Sequence, residues 1–460
     1  MNRRQFILGT IGVGAVTAIG TACSSGSSIE MEHVRSATAI TQVYGEGQKL
    51  IAVGIEYDSN IDTTKLATSS FTVTGRTVTK VYANTSAAIT DTPVNGPFVI
   101  VELSPTDSNA LLWAGPEPAN GGTSGSTDPS AGTAPAGQSS TPASQDPSVA
   151  GPPLGSSSKP VIKSATATVS QTGAVTTTAG TTYAGTPTAE VTTTKTVDPL
   201  VDLFEQKTFS DATTGQTLQY NLFVPKNYSP ARKYPLVLFM HDASVVGADV
   251  KGTLVQGLGA VCWASPEDQA RHECFVVAPQ YQTVVVSDDY NPGPLFETTV
   301  NLINTLTSQY SIDTAHMHAT GQSMGAMMTL GLNIRHPDLF STSYVVAGQW
   351  PSDQAAPLAH KRLWVTVSQG DAKAYPMGNE TMAVVQDNGG QVTTATWDAR
   401  ATQAQFATAV DDVTSKETNI NYVSFLPGTV PSTGGGASEH MGTWQIAYSI
   451  PGIRDWVMQS

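Results

Sequence analysis

Ser323 is the residue whose neighbours promise chemistry. It stands in Gly321-Gln322-Ser323-Met324-Gly325, a G-x-S-x-G pattern that presents a serine hydroxyl on a sharp strand-to-helix turn. Glycine on each flank leaves room for the turn and for the helix to close on the sheet. A serine hydroxyl at its free pKa is a weak nucleophile. It needs a base within reach and a group that holds the base. In the strand-turn-helix setting of this motif the chain order is serine, acid, histidine. Asp371 follows the apolar run 363–367, in Ser368-Gln369-Gly370-Asp371. Asp398, after the strand-like run 392–397, competes with it, whereas Glu380, Asp411 and Asp412 fall in helical patterns. Of the later histidines, His336 closes a helix and His360 precedes a strand. His440 follows the last strand in a Gly-rich loop. The expected set is Ser323 as nucleophile, His440 as base and Asp371 as its orienter.

Acyl transfer through a serine also needs two preset N–H donors for the oxyanion. Met324, directly after the nucleophile, is one. The second is expected from Ala243 in the loop His241-Asp242-Ala243-Ser244, with Asp242 close behind; His241 is read as shaping that loop. His316 and His318 share one strand face and read as structural. Gln322, Trp350 and Tyr281, with Gln349, are candidate pocket residues, packing at the domain seam being their alternative. No H-E-x-x-H, no convergent His/Cys spacing and no phosphate-binding Gly-loop occurs, so neither a metal nor a cofactor is expected.

These residues need elements to hold them. Residues 315–320 read as a strand and 326–335 as a helix, with Pro337 beyond its end. Apolar runs at 219–225, 234–240, 274–279, 344–347, 363–367 and 420–425 alternate with helical spacing at 296–310 and a final helix over 442–458. That pattern predicts an α/β unit from about residue 200, built on a mainly parallel sheet. Residues 33–113 read as short strands with Gly and Asn turns, the first part of an immunoglobulin-like β-sandwich. Residues 114–159 are Pro, Gly, Ser, Thr and Ala with almost no large apolar side chain, and are expected to be disordered. Strand-like alternation returns at 160–199, so the insert is placed inside the sandwich rather than between separate units.

The chain of 460 residues has a formal net charge of -14 and only 13% charged residues, which disfavours nucleic acid as a partner. Residues 1–22 read as a twin-arginine signal (Asn2-Arg3-Arg4-Gln5-Phe6, then an apolar run). The run is too short and Gly-rich for a comfortable membrane span. Cys23 then stands where a lipidated cysteine would, with residues 23–32 as tether, so attachment to a membrane is expected; simple cleavage and release is the alternative. Of three cysteines, Cys262 and Cys274 remain as a candidate disulfide in an exported chain.

From residue 203 onward the chain resembles bacterial α/β-hydrolase esterases of the prolyl-oligopeptidase-like and polyhydroxybutyrate-depolymerase-like groups. The stretches that carry this are LFMHDAS (238–244), ECFVVAPQY (273–281), ATGQSMG (319–325), SQGDAKAYP (368–376) and EHMGTW (439–444). The N-terminal part is similar to the immunoglobulin-like domain that precedes the hydrolase in some of these esterases. The resemblance implies the triad Ser323, Asp371 and His440 and a small-molecule or polymeric ester as substrate. A serine peptidase with the same triad and an inert hydrolase-fold binding protein are the alternatives. The propeller expected of a prolyl oligopeptidase is not legible in the N-terminal strands.

Overall fold

A computed structural model describes residues 31–114, 160–431 and 438–459. The expected signal, the lipidation site Cys23, nearly all of the tether and all of the insert after Ala114 lie outside the described residues, as do residues 432–437 of the Gly-rich loop.

The N-terminal unit is a β-sandwich. One sheet has five strands in the order Lys195–Val197, Val34–Tyr44, Gly47–Ile61, Gly96–Leu103, Val78–Asn84; the facing sheet has three, Val191–Thr192, Thr168–Gln171 and Phe71–Val73. Val53, Ile55, Tyr57, Val99 and Val101 pack against Phe71, Val73, Val169 and Val175 between them. Within residues 70–82, Gly75, at φ 68°, turns the chain so that Phe71–Val73 and Val78–Asn84 join different sheets. Strands from beyond the insert complete both sheets, Thr168–Gln171 pairing with Phe71–Val73 and Lys195–Val197 with Val34–Tyr44. Trp113–Ala114 pairs antiparallel with Val161–Ile162, so the chain leaves and re-enters the sandwich on one short two-stranded stem.

The C-terminal unit is a nine-stranded sheet flanked by helices. Its strands are β1 (Glu205–Ser210), β2 (Thr217–Phe223), β3 (Tyr234–Met240), β4 (Phe275–Gln280), β5 (Ile312–Gln322), β6 (Thr342–Val346), β7 (Arg362–Ser368), β8 (Val392–Trp397) and β9 (Ile420–Phe425). They lie in the order β1-β2-β4-β3-β5-β6-β7-β9-β8. β2 runs antiparallel to both of its neighbours; every pairing from β4 to β8 is parallel. β4, β6 and β9 are buried at every position, because helices cover both faces of a parallel sheet. The longer helices are α1 (Leu295–Gln309), α2 (Met324–Arg335), α3 (Ala374–Asp387), α4 (Gln403–Thr414), α5 (Ser438–Ala447) and α6 (Pro451–Met458). The predicted final helix is thus two. Pro451 has no N–H and disfavours helix in the residue before it, so it opens a new helix rather than extending the old one.

The two units share a seam. Val43 belongs to the same apolar cluster as Leu254, Val255 and Val261 of the C-terminal unit, with Trp113 and Ile162 of the insert's stem packed on it. Asp198 accepts from Thr41 Oγ1 and Gln48 Nε2 and, with its other oxygen, from the N–H groups of Leu200 and Val201. It thereby ties the sandwich to the start of the connection.

Candidate active site

β5 and α2 form the turn that carries Ser323. Its backbone sits at φ 51°, ψ -116°, a region that costs a non-glycine residue about 1–3 kcal/mol. The flanking glycines explain how the turn is packed. A Cβ on Gly321 would run into the backbone of Gly325, and one on Gly325 into the carbonyl of Met240. Helix α2 therefore closes directly on β5 and on the end of β3, which no side chain larger than hydrogen permits.

Asp371 lies just past β7 and His440 in the first turn of α5. The three side chains meet. His440 Nε2 is 2.9 Å from Ser323 Oγ, and its Nδ1 is 2.5 Å from Asp371 Oδ2. The residues come from positions 117 and 69 apart in the chain, brought together at the carboxyl ends of strands of one parallel sheet. Asp371 is 4% exposed and Ser323 9%, so the group opens to solvent only narrowly. Burial by itself would raise the Asp371 pKa. The hydrogen bond and charge of His440, with the N–H groups of Ala374 and Lys373, outweigh it and hold the carboxyl below its usual range. Asp398, the competing acid, instead accepts the N–H of Arg400 in an exposed turn after the edge strand β8.

The loop after β3 is fixed by its own side chains. Tyr281 N–H donates to His241 Nε2 at 2.9 Å, so the imidazole proton sits on Nδ1, which donates to the Asp242 carbonyl at 2.7 Å. Burial lowers the His241 pKa and keeps the ring neutral. Asp242 caps the short helical turn 243–245 by accepting from Ser244 N–H. Ala243 and Met324 are each the first residue of a helical turn, where N–H groups have no intrahelical acceptor.

The N-terminal region matches a family model described as the esterase Ig-like N-terminal domain, over residues 36–184. Across 92% of this chain and 99% of the other, the structure is similar to that of a thermostable esterase, with 25% identity and a TM-score of 0.72. The chain combines an α/β-hydrolase-type fold with an esterase-type immunoglobulin-like N-terminal domain. Lower similarity links it to the feruloyl esterase module from Clostridium thermocellum (14% identity, 53% of this chain, 85% of that one, TM-score 0.37). A ferulic acid esterase from the anaerobic fungus Anaeromyces mucronatus gives 14% identity, 54% and 90% coverage and a TM-score of 0.35. A search of curated proteins gave no match.

Within this hydrolase unit several expected site residues take other places. Trp350 and Tyr281 do not line an open pocket: both are 0% exposed. The Trp350 ring lies over Gly331 of α2, where a Cβ would come within 2.7 Å of it, and its Nε1 donates to Gln354. The Tyr281 hydroxyl meets Thr299 Oγ1 at 3.1 Å under α1, so its ring is core. Gln322 is buried too. Its Nε2 donates to Asp242 Oδ2 at 2.9 Å and to Gln256 Oε1 at 3.2 Å, which ties the nucleophile turn to the loop after β3. Cys262 and Cys274 are not bridged; both are free, buried thiols. Burial pushes each up to about 12, and they pack as small apolar groups.

Sequence patterns do not single out Glu439, Ser368 or Gln280. Gln280 binds the Val245 carbonyl with its amide N–H and the Thr253 N–H with its oxygen. Each lies inside a stretch that carries the resemblance, yet only the fold brings its partners to it.

Proposed function

We propose that the chain is a serine carboxylic-ester hydrolase working through an acyl-enzyme on Ser323. The observation that carries this reading is the unbroken hydrogen-bonded path Ser323 Oγ–His440–Asp371. His440 takes the hydroxyl proton as Ser323 Oγ attacks the ester carbonyl. Asp371, held ionised by its own hydrogen bonds, fixes the ring and stabilises the imidazolium. The resulting oxyanion is received by the N–H groups of Met324 and Ala243. That assignment is supported by the contact of the first turn of α2 with the backbone of Met240 and His241. His440 then returns the proton to the leaving alcohol. Water attacks the acyl-enzyme by the same route and frees Ser323.

The matched esterase-type N-terminal domain and the similarity to a thermostable esterase support ester over peptide substrates. The substrate is a small or polymeric ester that reaches Ser323 through a narrow opening. The twin-arginine pattern and Cys23 support an exported enzyme held at a membrane by a lipid.

The test is turnover of p-nitrophenyl esters of increasing acyl length by the mature protein beside Ser323→Ala. The expected result is ester turnover that falls by about 10⁴-fold or more in the variant, with the circular dichroism spectrum kept. A variant that turns over at near the wild-type rate contradicts the reading.

A further inference from the structure

Glu439 sits between two loops of the hydrolase unit. Its two oxygens hold two different loops. Oε2 accepts from Ser368 Oγ at 2.5 Å, and Oε1 accepts from the Gly428 N–H at 2.7 Å. Ser368 ends β7 and opens the loop that bears Asp371; its Oγ in turn accepts the Gly370 N–H at 3.3 Å. Gly428 belongs to the loop that comes after β9. Gly370 has no side chain to spare here, since a Cβ would lie 2.6 Å from the Glu439 Cδ. The carboxylate thus rests against the backbone one residue before Asp371, while its own backbone is one residue before His440.

A residue in the first turn of a helix has no preceding turn beneath it. The place of His440 therefore depends on what ties that turn to the sheet. Hydrogen bonds to a carboxylate are charge-assisted and about twice as strong as neutral ones, and an acid in the first turn is favoured by the helix dipole.

We propose that Glu439 is a positioning residue of the triad: its carboxylate locks the first turn of α5 to the loop of Asp371 and so sets the spacing of Asp371 and His440. This rests on the serine-hydrolase reading above. A displacement of about 1 Å at reacting groups costs on the order of 100-fold in rate, so a tie of this kind acts on turnover more than on substrate binding.

The experiment compares Glu439→Ala, Glu439→Gln, Ser368→Ala and the Ser368→Ala/Glu439→Ala double variant on one p-nitrophenyl ester, with rates corrected for folded fraction by circular dichroism. Glu439→Ala is expected to lower kcat about 10- to 100-fold with KM within about twofold. Glu439→Gln should recover most of the loss, because the amide keeps the shape, accepts from Gly428 and donates to Ser368. The double variant should be no slower than Glu439→Ala, since that substitution already removes the one tie that Ser368→Ala removes. A Glu439→Ala kcat within about twofold of wild type overturns the proposal, as does a Gln variant no better than Ala. If Glu439→Ala does not fold, Ser368→Ala carries the test: a fall of about 3- to 10-fold in kcat is expected, and an unchanged kcat overturns it. Ser323→Ala separates the two claims. If Ser323→Ala stays active, the serine reading falls; if it is dead and the Glu439 series is neutral, only the positioning role falls.

Discussion

The two units of this chain spend their polar side chains differently. In the immunoglobulin-like domain these charged side chains hold that domain's own turns and sheets. Arg76 pairs with Asp107 at 3.0 Å and donates to two backbone carbonyls. Asp58 gathers His33, Ser59 and Tyr183, and the His33 and Tyr183 rings stack 3.8 Å apart. In the hydrolase unit one set of polar groups collects at the carboxyl ends of β3, β5, β7 and β9, and its members hold one another across long stretches of chain. Gln322 reaches back to Asp242, Asp371 reaches forward to His440, and Glu439 reaches back to Ser368. The sandwich satisfies these polar groups within its own strands and turns, even where the partners stand far apart in the chain, as Asp58 and Tyr183 do. A parallel sheet brings the ends of distant segments side by side, and those ends can be tuned as a group. On the proposed reading, chemistry belongs to the unit whose polar groups gather at strand ends.

The largest effect that would break this comparison lies inside the polar group. Asp371→Asn should keep the fold and lower kcat by about 10⁴-fold, because an amide at this site no longer holds the base in the productive tautomer. Steady-state kinetics on an ester checks it. A loss of less than about tenfold would mean that Asp371 is only structural.

A smaller effect is expected at the seam, where support should reach the site. Tyr44 pairs with Gly47 to close a hairpin whose turn is Gly45-Glu46. Gly45 lies against the Gln445 backbone of α5, the helix that carries His440, and a Cβ there would overlap the Gln445 carbonyl. Gly45→Ala should therefore destabilise the protein by about 1–3 kcal/mol and lower kcat several-fold by shifting α5. Val94→Ala, at an exposed site of the same domain, should change stability by no more than about 0.5 kcal/mol and leave kcat alone. Thermal melts and kinetics on both variants sharpen the comparison. Equal, negligible effects would detach the N-terminal domain from the site.

A further effect, on stability and not on turnover, concerns pH. His318 of β5 is buried, and its pKa is pushed down to about 3, first by burial and then by the nearby charges of His316, Arg362 and His272. The unfolded chain takes up a proton at this residue below its ordinary value of about 6.5, and the folded chain refuses it. The site therefore costs no stability above about pH 6.5 and destabilises the fold as pH falls from there toward 3, by up to about 1.4 kcal/mol per pH unit. His318→Gln should flatten the decline of Tm between pH 6.5 and 4. A slope equal to wild type would assign the acid sensitivity elsewhere.

How far the sequence was legible runs along the same division. The nucleophile turn could be read because its glycines are demanded by backbone contacts that any such turn must make. The meeting of Asp371 and His440 with Ser323 could be read because parallel strands announce themselves as continuous apolar runs, and the loop leaving the end of each run lies on the side that bears Ser323. The pocket residues could not. Trp350 and Tyr281 come after strands on the correct side, yet a large aromatic gains more by packing under α2 and α1 than by facing water. The cysteine pair failed for a similar reason, since an even count in an exported chain says nothing of where two side chains point. Glu439 was silent because its partners, Ser368 and Gly428, stand 71 and 11 residues away and are joined to it only by the fold.

The most direct test of the central claim is covalent capture. The mature protein would be treated with a fluorophosphonate and the labelled peptide mapped by mass spectrometry, beside His440→Ala. The account predicts one adduct, on Ser323, forming at least about 10³-fold more slowly when His440 is removed. An adduct on another residue, or equal labelling rates with and without His440, would contradict it.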